Sequence, residues 1–190
     1  AIKESCDIYF YEVARLLGID RLQKTAFRFG LGDYVFQDFF EEAKGLVPST
    51  SWKREALGKS WYLGETMISG IGQGYIKTTN VQLCKMIAQF ANGGYQINAS
   101  FFDSSDQALG KKIIDDDEHI ELILKSLFEA TNLPGGTSYR SRIPGTMKIA
   151  GKTGTAQVRK ISESQREQDL KNKDLPWKFR DHSLFTGYGP

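Results

Sequence analysis

The chain is poor in the residues that organise metal sites and disulfide frameworks. Of its 190 residues only two are cysteines, Cys6 and Cys84, far apart and with no second cysteine or histidine close by. Neither zinc-ligand spacing nor a disulfide scaffold can be built from them, and buried free thiols are the expectation for both. There are only two histidines: His119 falls in a charged helical pattern and His182 in a hydrophilic loop, and both read as solvated rather than catalytic. No metal and no cofactor is expected. An excess of one charge is also missing, with 25 basic against 23 acidic residues for a net charge of +2, so nucleic acid is not an expected partner. No apolar run reaches the roughly 18–20 residues of a membrane span, and Ala1-Ile2-Lys3-Glu4-Ser5 contains no signal-peptide core. With 40% hydrophobic residues, the chain has the material for one core of ordinary size and reads as a soluble single domain. Its start, without Met and within a helical pattern, reads as that of a piece of a longer protein.

Hydrophobic periodicity supplies the elements. Ile8, Tyr9, Val13, Leu16 and Leu17 form one helical stripe that begins near Ser5 and stops at Gly18. A short helix over Asp20 to Phe29, N-capped by Asp20, ends at Gly30-Leu31-Gly32. From Asp33 to Gly74 the pattern is irregular; an extended surface segment anchored by Trp52, Trp61 and Tyr62 is expected, with few long elements. Thr79 with Gln82 forms a capping box ahead of a helix carrying Val81, Ile87, Ala88 and Ala91, and Gly93-Gly94 ends it. The run Asp115-Asp116-Asp117-Glu118 places negative charge at the positive end of a helix dipole, before Ile120, Leu122, Ile123, Leu127 and Phe128. Asn132-Leu133-Pro134-Gly135-Gly136 terminates that helix. A strand from about Met147 to Val158 follows. Residues 159–182 are dense in charge and read as a hairpin connection or mobile loop leading to a second strand, Ser183 to Gly189, the natural partner of the first.

The chemistry concentrates in Ile149-Ala150-Gly151-Lys152-Thr153-Gly154-Thr155-Ala156-Gln157. Gly151-Lys152-Thr153 resembles the end of a phosphate loop, but the glycine that motif needs five residues earlier is Thr146, and the segment continues as strand where a helix must open. Gly70-Ile71-Gly72-Gln73-Gly74-Tyr75 likewise misses the dinucleotide fingerprint at its last position and reads as a tight turn. A Lys-Thr-Gly strand goes with a Ser-x-x-Lys nucleophile and a Ser-x-Asn or Ser-Asp-Asn motif in penicillin-interacting serine enzymes. No Ser stands three residues before a Lys anywhere in the chain, and the nearest approach, Thr50-Ser51-Trp52-Lys53, has Thr in the nucleophile's place. Ser5-Cys6-Asp7 can stand for the second motif; taken alone, its Ser and Asp are equally well read as helix caps.

Taken together and in order, several blocks resemble the class B penicillin-binding proteins, in particular their elongation-specific branch. These are Glu4-Ser5-Cys6-Asp7 with Tyr9-Phe10-Tyr11, Gly45-Leu46-Val47-Pro48-Ser49 with Trp52-Lys53, and Trp61-Tyr62 with Gly64-Glu65-Thr66. They continue with Ile71-Gly72-Gln73-Gly74-Tyr75, Gly135-Gly136-Thr137, Ala150 to Gln157, and Arg180-Asp181-His182-Ser183-Leu184-Phe185. Asp7 replaces the commoner Asn, a departure that fits the branch, and Asn80 stands where relatives tend to have Pro.

The resemblance implies an α+β fold of three layers, an antiparallel sheet flanked by helices, with residues 1–190 a partial transpeptidase domain truncated at both ends. It implies a D,D-transpeptidase: a serine attacks the carbonyl of a D-Ala-D-Ala stem peptide, D-Ala leaves, and an amine of a neighbouring stem peptide takes the acyl group. Ser5 would relay a proton between the family's lysine base and the amine, and Asp7 would hold that lysine and touch the substrate amide. Lys152 would place positive charge beside the substrate carboxylate, which the hydroxyls of Thr153 and Thr155 would bind. Gly154 would let the substrate backbone approach, lying on the strand as an added strand, and the N–H of Thr155 would form half of an oxyanion hole. The implied partners are peptidoglycan stem peptides, β-lactams and a membrane-embedded glycan polymerase of the elongation machinery, in a parent protein anchored in the inner membrane and facing the periplasm. Without Ser-x-x-Lys, this chain alone is expected to be inactive. A β-lactamase or D-Ala-D-Ala carboxypeptidase of the same fold, and a non-catalytic module that self-associates through open sheet edges, are the competing readings.

Overall fold

In the computed structural model, residues 1–36, 39, 41–101, 110–158 and 172–190 are described. Among them run six α-helices and one strand pair: α1 (Asp7–Leu17), α2 (Ile19–Arg28), α3 (Thr50–Leu57), α4 (Leu63–Gly70), α5 (Asn80–Ala91), α6 (Asp117–Asn132), β1 (Ala150–Ala156) and β2 (His182–Tyr188). This is the expected α+β arrangement of helices on an antiparallel sheet.

Helix ends follow local chemistry, with some reassignment. At α5 the capping box forms in both directions, Gln82 N donating to Thr79 Oγ1 at 3.2 Å and Thr79 N to Gln82 Oε1 at 3.1 Å. At α6, Asp116 accepts from Glu118 N at 2.9 Å, and Asp117 and Glu118 occupy the first turn. The start of α1 departs from expectation. It is Asp7 rather than Ser5, and the N-cap residue, Cys6, makes no side-chain cap. Asp20 is not the N-cap of α2, since Gly18 holds that place and Asp20 lies in the first turn. Its carboxylate instead accepts from the backbone N–H and the hydroxyl of Thr50, tying α2 to the start of α3.

The segment from 33 to 74, expected to be irregular, holds two helices. Helix α3 is capped by Ser49, whose Oγ accepts from Trp52 N at 3.0 Å, and ends at Gly58 in the left-handed region. Helix α4 starts where the Glu65 carboxylate accepts from Tyr62 N at 2.8 Å. What joins them is an ion pair: Lys53 Nζ lies 2.5 Å and 2.6 Å from the two Glu65 oxygens and 4.6 Å from the centre of the Tyr62 ring, and the Lys53 side chain is 2% exposed. Burial pushes the Glu65 carboxyl up, but hydrogen bonds from Lys53 and the Tyr62 N–H outweigh it and hold the group below its ordinary value. Trp52 and Trp61 are partly buried against Tyr75, while Tyr62 is exposed.

Two buried glutamines of α5 pair with loop backbone groups. Gln82 Nε2 donates to the carbonyls of Asp33 and Lys44, and Gln89 bridges Phe29 O and Ile97 N. The core gathers Ile87 of α5, Leu127 of α6 and Ala150 of β1, with Phe90, Ile123 and Tyr188 against them, so both helices brace the strand pair. The strands are antiparallel, with Gly151 opposite Gly187, Thr153 opposite Phe185 and Thr155 opposite Ser183. His182 is the first residue of β2 rather than part of a loop, and it is exposed as expected. Both cysteines are exposed, against the expectation of buried thiols. Of the charged connection, 159–171 lie outside the described residues; Asn172–Asp174 and Trp177–Phe179 form 3-10 turns braced by Arg180, which donates to the carbonyls of Leu175 and Lys173. No described helix is long and apolar enough to cross a membrane.

Candidate active site

Strand β1 has one edge paired with β2 and another that faces away from it. In an antiparallel ladder the N–H and C=O of one residue point the same way, and successive residues alternate. The carbonyls of Ile149, Gly151, Thr153 and Thr155 all accept from side chains outside the ladder, which assigns the odd-numbered residues to the outer edge. Asn132 Nδ2 of α6 reaches Ile149 O at 2.9 Å and Thr131 Oγ1 reaches Gly151 O at 3.4 Å. Lys152 Nζ folds back to Thr153 O at 3.1 Å, and Gln73 Nε2 reaches Thr155 O at 2.5 Å. Helix α6 thus closes the first half of the edge. The second half, Thr153 to Thr155, is exposed, and the N–H groups of Thr153 and Thr155 point outward by the same alternation.

The glycines of β1 differ in what requires them. At Gly151 a Cβ would lie 2.5 Å from Thr186 O and from the Phe185 ring, so packing against β2 excludes a side chain there. A Cβ at Gly154 would meet only Leu184, at an ordinary 3.6 Å. The fold therefore does not need a glycine at 154, whereas something approaching the strand from solvent would.

Of the predicted site residues, Lys152, Thr153, Gly154 and Thr155 lie on β1, and Asp7 of α1 comes near Lys152. Asp7, in the first turn of α1, is near enough to Lys152 to influence its charge. Burial lowers the Lys152 ammonium from its ordinary value, and the negative charge of Asp7 opposes that shift. Thr153 Oγ1 is 3.3 Å from Lys152 Nζ and donates to Thr137 Oγ1 at 3.1 Å; Thr137 N in turn donates to Lys3 O at 3.2 Å, linking β1 to the chain just before α1. Ser5 is exposed two residues before Asp7, in the left-handed region at φ 53°, the one non-glycine with positive φ among the described residues. Because Ser5 lies outside α1, it is not the helix cap that its position beside Asp7 equally suggested. Lys53, the lysine of the nearest approach to a nucleophile motif, is committed to Glu65, and Thr50 donates to Asp20. Sequence reasoning gave no role to Thr137 or Gln73. The available signal for Gln73 was its place between two glycines, both at φ 78°, a turn that thrusts out the intervening side chain.

A family model described as penicillin binding protein transpeptidase domain matches residues 1–190. The chain belongs to the penicillin-binding protein transpeptidase family. Among curated relatives, the peptidoglycan D,D-transpeptidase MrdA of Salmonella typhimurium is 32% identical over 203 residues, and that of Acinetobacter baumannii 34% over 202, each match taking in the whole chain. The chain spans about a third of the length of these relatives, 32% and 29% respectively. Among solved structures, Pseudomonas aeruginosa PBP2 in complex with WCK 5153 is 36% identical with a TM-score of 0.80, covering 99% of this chain and 40% of that one. Helicobacter pylori PBP2 in complex with MreC is 29% identical with a TM-score of 0.84, covering 99% of this chain and 32% of that one. Family membership thus agrees with the resemblance carried by the sequence blocks.

Proposed function

We propose that this domain serves a peptidoglycan D,D-transpeptidase, binding the D-Ala-D-Ala end of a stem peptide along the outer edge of β1. The observation that carries the reading is the half-edge Thr153–Thr155, left open by α6 and flanked by the partly buried, Asp7-coupled ammonium of Lys152. An extended peptide can add there as a strand, with main-chain hydrogen bonds supplying affinity. Lys152 and the hydroxyls of Thr153 and Thr155 meet its terminal carboxylate, and Gly154 admits its backbone. The N–H of Thr155 faces the carbonyl that is attacked, as one donor of an oxyanion hole. Ser5 relays the proton and Asp7 orients the lysine base, both acting with a Ser-x-x-Lys segment that the 190 residues do not contain. The full protein acts at the periplasmic face of the inner membrane beside a glycan polymerase. A partner of the MreC kind is supported by the Helicobacter pylori complex.

The test is the acylation rate of the full-length protein by a fluorescent penicillin. Lys152→Ala removes a charge-assisted contact and should slow acylation about ten- to a hundredfold. Asp7→Asn removes the charge that opposes the lowering of Lys152, so the alkaline limb of the pH profile should move to lower pH. The 190-residue chain alone should not label. Absence of labelling in the full-length wild type, or an alkaline limb unmoved in Asp7→Asn, would refute the reading.

A further inference from the structure

The carbonyl of Thr155 is already occupied. Gln73 Nε2 donates to it at 2.5 Å from the turn that follows α4. That turn is anchored independently of the contact: Gly72 N donates to Ser69 O, Gln73 N to Ile68 O, and Tyr75 packs on Trp52 and Trp61. Rotation of the Gln73 side chain therefore suffices to make or break the bond while the backbone stays in place. In an antiparallel hydrogen-bonded pair, the two residues exchange both N–H···O bonds. If the attacked carbonyl accepts from Thr155 N, the N–H of that same substrate residue must donate to Thr155 O, where the Gln73 amide now sits. We infer that Gln73 is a side-chain gate on the substrate edge, standing in for the incoming peptide N–H and displaced by it. The inference rests on the acyl-transfer reading above and adds to it a positioning residue that neither the Lys-Thr-Gly nor the Ser-x-Asp motif contains.

Without substrate, the gate fills the acceptor that the incoming peptide N–H would use. It also makes a selective claim, because only a ligand that donates to Thr155 O has to displace Gln73. A penicillin carries an acylamino N–H beside its reacting carbonyl; a carbapenem carries no N–H at that position. The experiment measures second-order acylation rate constants of the full-length protein with one ligand of each kind, for wild type, Gln73→Ala and Gln73→Glu. The second variant keeps the shape but replaces the amide donor by a carboxylate. Both variants should raise the penicillin-to-carbapenem rate ratio by about two- to tenfold, the factor set by one net hydrogen bond. A ratio unchanged or lowered in both variants overturns the gate, even where both absolute rates fall together, as they would for a merely structural residue. A wild type that neither ligand acylates overturns the transpeptidase reading itself, so the two failures are distinguishable.

Discussion

Replacing Glu65 by Gln tests the argument that α3 and α4 are held together by a buried ammonium. In wild type the Lys53 side chain is 2% exposed and its charge is met by both Glu65 oxygens, whereas the Glu65 side chain is 23% exposed. Glu65→Gln keeps the shape and leaves the ammonium with neutral partners and aromatic rings, at 4.6 Å from Tyr62 and 5.7 Å from Trp61. Breaking one side of a buried pair costs about 3–5 kcal/mol, and the rings and the partial access of water bring this case below that, to about 2–3 kcal/mol. For a domain of 150–250 residues that is a fall in Tm of about 4–12 °C. Lys53→Met should cost less, about 1 kcal/mol, because it removes the group that water cannot reach and leaves a carboxylate that water can. Tryptophan fluorescence in thermal melts is the assay, since Trp61 lies beside Lys53 and Trp52 packs on the neighbouring Tyr75. The pH dependence adds a second readout. The Glu65 carboxyl is held below its ordinary value of 4.5, so its contribution is fully present above that pH and is lost as pH falls through the folded-state value. The difference between wild type and Glu65→Gln should therefore shrink on acidification below about 4.5. If Lys53→Met proved as costly as Glu65→Gln at neutral pH, the ammonium would not be the group that makes the pair necessary.

Two further outcomes follow from backbone geometry. Ser5→Gly should leave the domain about 1 kcal/mol more stable than Ser5→Ala in urea melts, because only glycine adopts φ 53° without a Cβ penalty, while both variants lose the hydroxyl and slow acylation. At Gly70 a Cβ would run into Ala14, where α4 crosses α1. Gly70→Ala should destabilise by about 1–3 kcal/mol and, by displacing the helix that carries Asp7, slow penicillin acylation more than a stability loss of that size explains.

What the sequence disclosed best was local chemistry with a fixed geometry. The Thr79–Gln82 box, the acidic start of α6 and the pairing of the two alternating strands all appear in the structure near their expected places. Helices α3 and α4 escaped because their buried positions are Lys53, Thr66 and Ser69 rather than an apolar stripe; their stability comes from a pair twelve residues apart that periodicity does not weigh. Asp20 was legible as a cap by type, yet a tertiary partner at Thr50 claimed its carboxylate. Of the residues that meet around Lys152, Asp7 and Thr153 were readable from their motifs. Gln73 and Thr137 were not, because their partners lie 82 and 16 residues away on β1 and only the folded chain brings them together.

The two side chains of α6 that cover Ile149 O and Gly151 O act as a ruler for whatever binds β1. An unpaired strand edge invites any extended chain, including aggregating ones, in proportion to its length. Here the accessible length is three residues, Thr153 to Thr155. A long strand from another protein finds too little there to pair with, whereas the short peptide end of the proposed function needs no more. Helix α6 thereby shortens an otherwise adhesive edge.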